Sequence, residues 1–205
     1  MSSMSAILAV FFVAFAIIFG IIVWMDTKRV YIHPPKYNYK SGNADTKGES
    51  AEADHQESEE TGELNAKAIV DGTGNALATA ELGFEFQNSG HKEFAYVIEF
   101  IFDYRFSFET NNDTTKVKGK VETFVNSKPI TVADEFLPIA DDQTNLRNGQ
   151  LVEASRKRRV TLQPGEKFNA YVKFTAIVDG VDPGKCSSEV VGKLKEIAYR
   201  TELST

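Results

Sequence analysis

The sequence has very little of the chemistry that metal and redox sites need. Its 205 residues include one cysteine, Cys186, and three histidines. A single cysteine excludes an internal disulfide and a cysteine-rich zinc or iron–sulfur site. Three separated histidines leave little for a histidine-built metal centre. We therefore expect neither a cofactor nor a bound metal.

The chain also lacks an excess of basic charge and a phosphate-binding loop. It carries 23 Lys and Arg against 29 Asp and Glu, a formal net charge of −6, which excludes a strongly basic nucleic-acid binder. The glycine-rich residues 71–75 lack the lysine and the following helix of a P-loop. An enzyme would need a pocket that gathers His91, a carboxylate and Arg105, and we do not expect one.

What the sequence does have is one long apolar run. Residues 6–25 contain no charge and only Gly20 outside the apolar set. A helix of this length, rising about 1.5 Å per residue, matches the ~30 Å hydrocarbon core of a bilayer. A cleavable signal peptide would need a basic start, a shorter run and a small-residue cleavage site. The sequence instead predicts that residues 1–29 form a retained single-pass transmembrane anchor and its flank.

The residues around this run predict its orientation. No Lys or Arg precedes it, whereas four follow it within residues 26–40. Because positively charged flanks tend to remain in the cytoplasm, we expect the following domain on the cytoplasmic side. An extracytoplasmic domain is the alternative, and a short glycosylation motif at Asn112 would be compatible with it.

One side of the apolar helix carries small residues that would allow close packing. On a helical wheel these residues cluster opposite three phenylalanines, and they are Ala6, Ala9, Ala16 and Gly20. Small residues let two helix backbones approach closely, and packing drives helix association in lipid. The expected partners are therefore the lipid bilayer and other membrane-protein subunits, although a helix that only faces lipid can have the same composition.

An acidic segment follows. Residues 41–64 hold eight Asp and Glu, one lysine and a single large aliphatic side chain. Such a segment has too little apolar surface to offset the entropy of folding, and repulsion between like charges extends it. Residues 30–74 are therefore predicted to form an extended segment and an acidic flexible linker. An acidic docking motif is the alternative.

Strand patterns dominate from residue 75 onward. Aromatic or aliphatic residues take every even position from Phe94 to Phe108, and this period of two predicts a strand with one buried face. Its length predicts a bend or bulge near its middle. Turn residues at 88–90, 111–113 and 163–166 separate further strands. The apolar stripe within residues 188–199 predicts a short C-terminal helix.

Together these patterns predict a mainly β fold for residues 75–205, an antiparallel β-sandwich with a C-terminal helix. Phe84-Glu85-Phe86 leading into the turn at 88–90, residues 102–104, and the turn at 162–166 resemble immunoglobulin-like sandwiches. The chain is more similar to late-embryogenesis-abundant-type β-sandwich domains behind single membrane anchors. That resemblance implies a structural or binding module, and no catalytic residues come with it.

The densest charge cluster is basic. It occupies four consecutive positions, Arg156, Lys157, Arg158 and Arg159. On a strand these side chains would divide between two faces. Three interpretations remain: an edge strand protected from aggregation, a patch for lipid headgroups, or a docking site for an acidic protein surface. Nucleic acid is a fourth and weaker candidate ligand for this cluster, because no stacking aromatics are interleaved with it.

These observations favour a protein that acts by binding rather than by catalysis. We expect a non-enzymatic, single-pass membrane accessory or assembly subunit of a larger membrane protein complex. It would use helix packing and a soluble β-sandwich surface. The alternative is a tethered binding domain for a ligand, an envelope polymer or a surface structure, with the acidic linker providing reach.

Overall fold

Strands account for nearly all of the described chain. The computed structural model describes residues 29–110, 115–125, 128–136, 149, 151–181 and 184–203. Within these ranges the elements are β1 (Val30–Ile32), β2 (Tyr39–Lys47), β3 (Ala51–Glu57), β4 (Glu63–Asp71), β5 (Gly74–Gln87), β6 (Phe94–Glu109), β7 (Lys116–Val125), β8 (Lys128–Phe136), β9 (Val152–Leu162), β10 (Lys167–Gly180) and β11 (Lys185–Leu203).

The strands pair into two antiparallel sheets. One has six strands in the order β3-β4-β11-β6-β9, with β1 paired to the C-terminal half of β11, and the other has five in the order β2-β5-β10-β7-β8. From β4 to β11 every connection except the β7–β8 hairpin crosses between the sheets. This is the strand order of a jelly roll, a sandwich built from two Greek keys. The predicted β-sandwich is confirmed. The immunoglobulin-like order is not formed, because that order keeps more sequential strands within one sheet.

The even-numbered residues of β6 build the core, as their alternation predicted. Phe100, Phe102, Tyr104 and Phe106 are each at most 2% exposed, and the ring of Tyr104 lies 6.5 Å from that of Phe174 on the opposite sheet. β6 remains one strand of 16 residues. The irregularity expected near its middle lies instead in its neighbour, since the register of β11 shifts between Leu194 and Glu196.

The predicted C-terminal helix is wrong, because residues 188–199 lie in β11. The side chains of Val190, Leu194 and Ile197 face the core and are 0% exposed. Lys195 is the extra residue of the bulge, and it shifts the alternation of the strand by one position. The three inward side chains therefore recur with the i, i+4, i+7 spacing of a helix face. The alternation of a strand, interrupted by one bulge residue, therefore produced the residue spacing of an apolar helix face.

The predicted flexible linker is also wrong. Within residues 30–74, β2 pairs with β5 and β3 pairs with β4 along their whole lengths. The composition argument failed because edge strands of a sandwich need to bury little surface. Residues 40–47 of β2 are all exposed, and β3 buries only alternate side chains, each of them in part. Ala51 and Ala53 pack against the core, whereas Glu52 and Asp54 face solvent. Backbone hydrogen bonds to β5 and β4 pair one edge of each of these strands and hold it in its sheet.

The predicted membrane anchor lies outside the described residues, as do Ala6, Ala9, Ala16 and Gly20 of its expected packing face. Within the described ranges, no helix has the length and apolar character needed to cross a bilayer. The first described residue is Arg29, four residues after the end of the apolar run. Its guanidinium pairs with Glu99 of β6, and β1 follows at once.

Candidate functional site

A groove of about 420 Å³ opens on the outer face of the six-stranded sheet. Its floor comes from β4, β11 and β6, and its rim from β3 and from the segment that leads into β9. The N–H of Gly149 donates to the carbonyl oxygen of Phe106 at 2.7 Å, which holds that segment beside β6. We call this site the sheet groove; its lining includes Gln56, Asn65, Asp103, Arg105, Val191 and Lys193.

The strand register arranges the lining side chains in two rows across the sheet. The first row consists of Gln56, Asn65, Val191 and Arg105. The second row consists of Glu63, Lys193 and Asp103. Side chains directly opposite each other on one face of a sheet have Cβ atoms about 4.5–5.5 Å apart. The first row therefore extends over three strand spacings, about 14 Å.

The carboxylate of Asp103, at the end of the second row, already pairs with a lysine. Lys195, the bulge residue of β11, places Nζ 3.0 Å from Oδ2 of Asp103 and 2.7 Å from Oε1 of Glu153. Hydrogen bonds to Glu153 and Asp103 raise the pKa of Lys195, and the same contact lowers the pKa of Glu153. Exposed pairs of this kind contribute little to stability, but they compensate the negative charge on this side of the groove.

Two other cations of the groove are less well compensated. The side chain of Arg105 is exposed, and within the described ranges it makes no ion pair or hydrogen bond. Lys193 likewise makes none with the described residues, although Glu63 and Asp103 flank it across the strands. The amide of Asn65 donates to Oε1 of Glu189 at 3.5 Å. The groove thus presents donors that the described part of the protein does not saturate.

Apolar side chains separate these polar groups. Val191 lies between Asn65 and Arg105 in the first row, and Leu151 is 59% exposed at the rim. A mostly apolar lining with a few polar groups is typical of ligand sites. The donors and apolar side chains of the described lining are therefore suited to contact with a ligand.

The structure divides the predicted basic cluster between two faces. Residues 156–159 lie on the edge strand β9, opposite residues 97–100 of β6. Lys157 and Arg159 share the outer face, where Nζ of Lys157 is 3.2 Å from Glu99. Arg156 belongs to the opposite register and donates to the carbonyl oxygen of Ser155 at 2.9 Å. The side chain of Arg158 lies outside the described residues. This division favours the interpretation of an edge strand protected by charge.

A second polar cluster lies where β2 and β3 close one side of the sandwich. Nδ1 of His55 is 2.9 Å from Oε1 of Glu57. Both side chains cover Gly42 of β2, where an added Cβ would overlap them. Desolvation raises the pKa of Glu57, and the neighbouring His55 partly opposes that rise. The cluster joins the edges of the two sheets and does not line the sheet groove.

Three aromatic rings form a ladder on the outer face of the five-stranded sheet. The ring of Tyr171 lies 4.9 Å from that of Tyr39 and 5.1 Å from that of Phe124. The O–H of Tyr39 donates to Oε2 of Glu81 at 2.8 Å; burial, with a contribution from Glu81, raises the pKa of Tyr39. Because Tyr171 is only 6% exposed and the rings contact one another, the ladder stabilises the sheet and offers little open surface to a ligand.

Sequence reasoning identified one residue of the sheet groove, Arg105, and only as part of a conceivable catalytic pocket. His91, the expected companion of Arg105, lies in the loop after β5 and does not line the groove. The remaining lining residues come from strands far apart in the chain, between Gln56 and Lys193. Alternation along each strand could have assigned them to an outer face, but no local pattern brings them together.

No protein-family model and no curated protein matches this chain. Among solved structures, the chain is similar to TmCBM61, solved in complex with beta-1,4-galactotriose, with 11% identity, coverage of 80% of this chain and 88% of that chain, and a TM-score of 0.21. It is also similar to a structure of infectious bursal disease virus Gx strain, with 8% identity, coverage of 80% and 36%, and a TM-score of 0.17. The chain thus spans 36% of the viral chain. At these scores neither likeness supports an argument about ligand or function.

Proposed function

We propose that this protein is a membrane-anchored binding protein: residues 6–25 form one transmembrane helix, and the jelly-roll sandwich binds a ligand in the sheet groove. The observation that carries the proposal is the groove itself, about 420 Å³ in volume. Ligand sites usually have volumes of about 300–1,000 Å³ and combine an apolar lining with a few polar groups. In the sheet groove, Val191 and Leu151 supply apolar lining, and Arg105 and Lys193 supply polar groups. The proposed activity is binding without catalysis.

The pairing of β1 with β11 supports a rigid connection between anchor and sandwich. Val30, the first residue of β1, is opposite Tyr199 of β11, so an anchored sandwich would begin close to the bilayer surface. The groove residue Val191 and Tyr199 lie opposite Arg105 and Ile98, which are seven residues apart on β6; this corresponds to about 23 Å at ~3.3 Å per residue. This separation favours a ligand other than the lipid headgroups at the base of the anchor.

Site-specific photocrosslinking in native membranes tests binding in the groove. A benzophenone amino acid is placed in the full-length protein either at Leu151, on the groove rim, or at Val181, outside the groove lining. These residues are matched controls, since both are aliphatic and their exposures are 59% and 53%. We expect a crosslinked adduct at position 151 and none at position 181, with mass spectrometry identifying the adduct. Equal crosslinking at both positions, or none at either, would contradict the proposal.

We place the sandwich on the cytoplasmic side, because four Lys and Arg follow the apolar run and none precedes it. Ser89 is exposed in the loop after β5, whereas the native Cys186 is 1% exposed. In intact cells, a membrane-impermeant maleimide should therefore leave Ser89→Cys unlabelled until the membrane is opened. Labelling of intact cells would place the domain outside. Release of the protein by alkaline carbonate would contradict the anchor.

A second candidate function is assembly of a larger membrane protein complex. The observation that favours it is β1, where Val30 and Tyr31 are 45% and 42% exposed beside the predicted anchor. Exposed apolar and aromatic side chains are suited to contact with a partner subunit. In native electrophoresis from mild detergent, Gly20→Leu should release the partner and Phe15→Leu, on the other side of the helix, should not. Wild-type protein that migrates only as a monomer, with no co-purifying subunit, would contradict assembly.

A further inference from the structure

The charges of the sheet groove are compensated unevenly. In the second row, Lys193 lies between Glu63 and Asp103, and Lys195 adds a contact of 3.0 Å to Asp103. In the first row, the cross-strand neighbour of Arg105 is Val191 rather than a carboxylate. The acid nearest to Arg105 on the same face of β6 is Asp103, which Lys195 already engages. Among the described lining residues, Arg105 is therefore the cation with the least compensated charge.

The surroundings of Arg105 strengthen an ion pair with an incoming ligand. Val191 and Leu151 also line the groove, and a ligand that covers them would exclude water from its ion pair with Arg105, which raises the strength of that electrostatic interaction. A guanidinium presents a planar fork of N–H donors that matches a carboxylate in two parallel hydrogen bonds. Charge complementarity thus indicates an anionic group on the ligand, and the fork geometry is suited to a carboxylate.

The rest of the first row indicates what this carboxylate is attached to. Gln56 and Asn65 lie three and two strand spacings from Arg105, about 14 Å and 10 Å away. Their side-chain amides can both donate and accept hydrogen bonds, as the N–H and C=O groups of a peptide backbone do. Val191, between them and Arg105, is suited to contact with an aliphatic side chain. The described lining contains no aromatic ring on which the apolar face of a sugar could pack, so a peptide is favoured over a glycan.

We propose that the sheet groove binds an acidic peptide segment of a partner protein, in which Arg105 pairs with an Asp or Glu carboxylate beside an aliphatic residue. This inference rests on the proposed function of the groove. Gln56 and Asn65 bind the peptide backbone, and Val191 with Leu151 contacts the aliphatic side chain.

Peptide selection on the full-length protein in lipid nanodiscs tests the inference. The protein is panned against a random seven-residue peptide library and, in parallel, against an array of neutral and acidic oligosaccharides. We expect the selected peptides to share an Asp or Glu next to an aliphatic residue. Arg105→Gln should raise their Kd about tenfold, because it removes a charge-assisted pair. Replacing the peptide's Glu by Gln should weaken binding to the wild type to a similar extent and leave binding to Arg105→Gln nearly unchanged.

Arg159→Gln is the matched control, because Arg159 is an exposed arginine on the outer face of the same sheet but outside the groove lining. Its Kd should remain within about twofold of the wild type. Selected peptides without an acid, unchanged binding by Arg105→Gln, or an equal loss with Arg159→Gln would each overturn the inference. Binding of oligosaccharides alone would overturn it and leave the proposed function standing. Binding of neither class would overturn both.

Discussion

Asn88 connects the end of β5 to the neighbouring loop and to β9, and its replacement by alanine should destabilise the sandwich. The side chain is 1% exposed. Its Nδ2 donates to the carbonyl oxygens of Lys92 at 2.8 Å and Leu162 at 3.1 Å, and its Oδ1 accepts from the N–H of Gly90 at 3.0 Å. Alanine removes all three hydrogen bonds without introducing a clash.

The three lost hydrogen bonds differ in their expected cost. Lys92 is exposed and Gly90 is half-buried, so water can replace Asn88 at both, and each loss should cost at most about 0.5–1 kcal/mol. Leu162 is 2% exposed, and an unsatisfied buried carbonyl costs about 1–3 kcal/mol. We expect Asn88→Ala to lower the free energy of unfolding by about 2–4 kcal/mol. In a domain of this size that corresponds to a decrease in Tm of about 5–15 °C.

Thermal unfolding of the full-length protein in mild detergent, followed by the near-ultraviolet circular dichroism of its buried aromatic rings, measures this decrease. Ser89→Ala is the control, because Ser89 is the exposed neighbour and surface changes usually alter stability by less than about 0.5 kcal/mol. Asn88→Asp retains an acceptor for Gly90 but loses both donors, so it should also be destabilised. An Asn88→Ala protein that unfolds within about 1 °C of the wild type would contradict this role of the Asn88 side chain.

Three further predictions concern the core, the acidic segment and its titration. Gly119→Val on β7 should lower the free energy of unfolding in urea by about 1–3 kcal/mol or more, because a Cβ at Gly119 would overlap the ring of Phe106; unchanged stability would contradict this packing. Glutamate-specific protease should leave β3 intact in the folded protein, since β3 is paired throughout its length, whereas a flexible linker would be cut within minutes. Desolvation raises the pKa of Glu57 above 4.5, so the folded state holds this proton more tightly. The free energy of unfolding therefore falls as pH rises from about 4.5 through the folded-state pKa. When the urea midpoint of unfolding is plotted against pH, Glu57→Gln should reduce the slope of the curve in this pH range. An unchanged slope would contradict a raised pKa of Glu57.

The long aromatic strand illustrates what a sequence pattern predicts well. The buried face of a strand recurs every second residue whichever strands become its neighbours. The even positions of residues 94–108 therefore identify the inner face of β6 whatever the order of the strands in the sheet. The turn at residues 163–166 was predictable for a similar reason, since proline and glycine favour a turn locally, and β9 and β10 lie on either side of it.

Two other segments were predicted wrongly because their structure depends on their neighbours. β2 and β3 contain few large apolar residues, and pairing with β5 and β4 holds them in the sheets. In β11, the bulge at Lys195 joins two stretches of opposite alternation. Val190, Leu194 and Ile197 then have helical spacing along the sequence although they share one face of a strand. Local composition and periodicity do not report either effect.

The sheet groove was not predictable from any window of sequence. Its first row joins Gln56, Asn65, Arg105 and Val191, which the order β3-β4-β11-β6 places side by side. The basic residues 156–159 were conspicuous because they are contiguous, yet alternation along β9 separates Arg156 from Lys157 and Arg159. Consecutive residues of a strand point to opposite faces of the sheet, whereas residues in register on neighbouring strands lie side by side on one face.

Three features can be recognised from the sequence alone: the apolar run at residues 6–25, the scarcity of cysteine and histidine, and the strand character of most of residues 75–180. These features depend only on composition and on short-range periodicity. The tertiary structure decided the jelly-roll order, the folding of the acidic segment, the extended form of residues 185–203 and the sheet groove. Each of these depends on which distant strands pair and in what register. The local residue pattern of a strand does not specify the strand to which it is hydrogen-bonded.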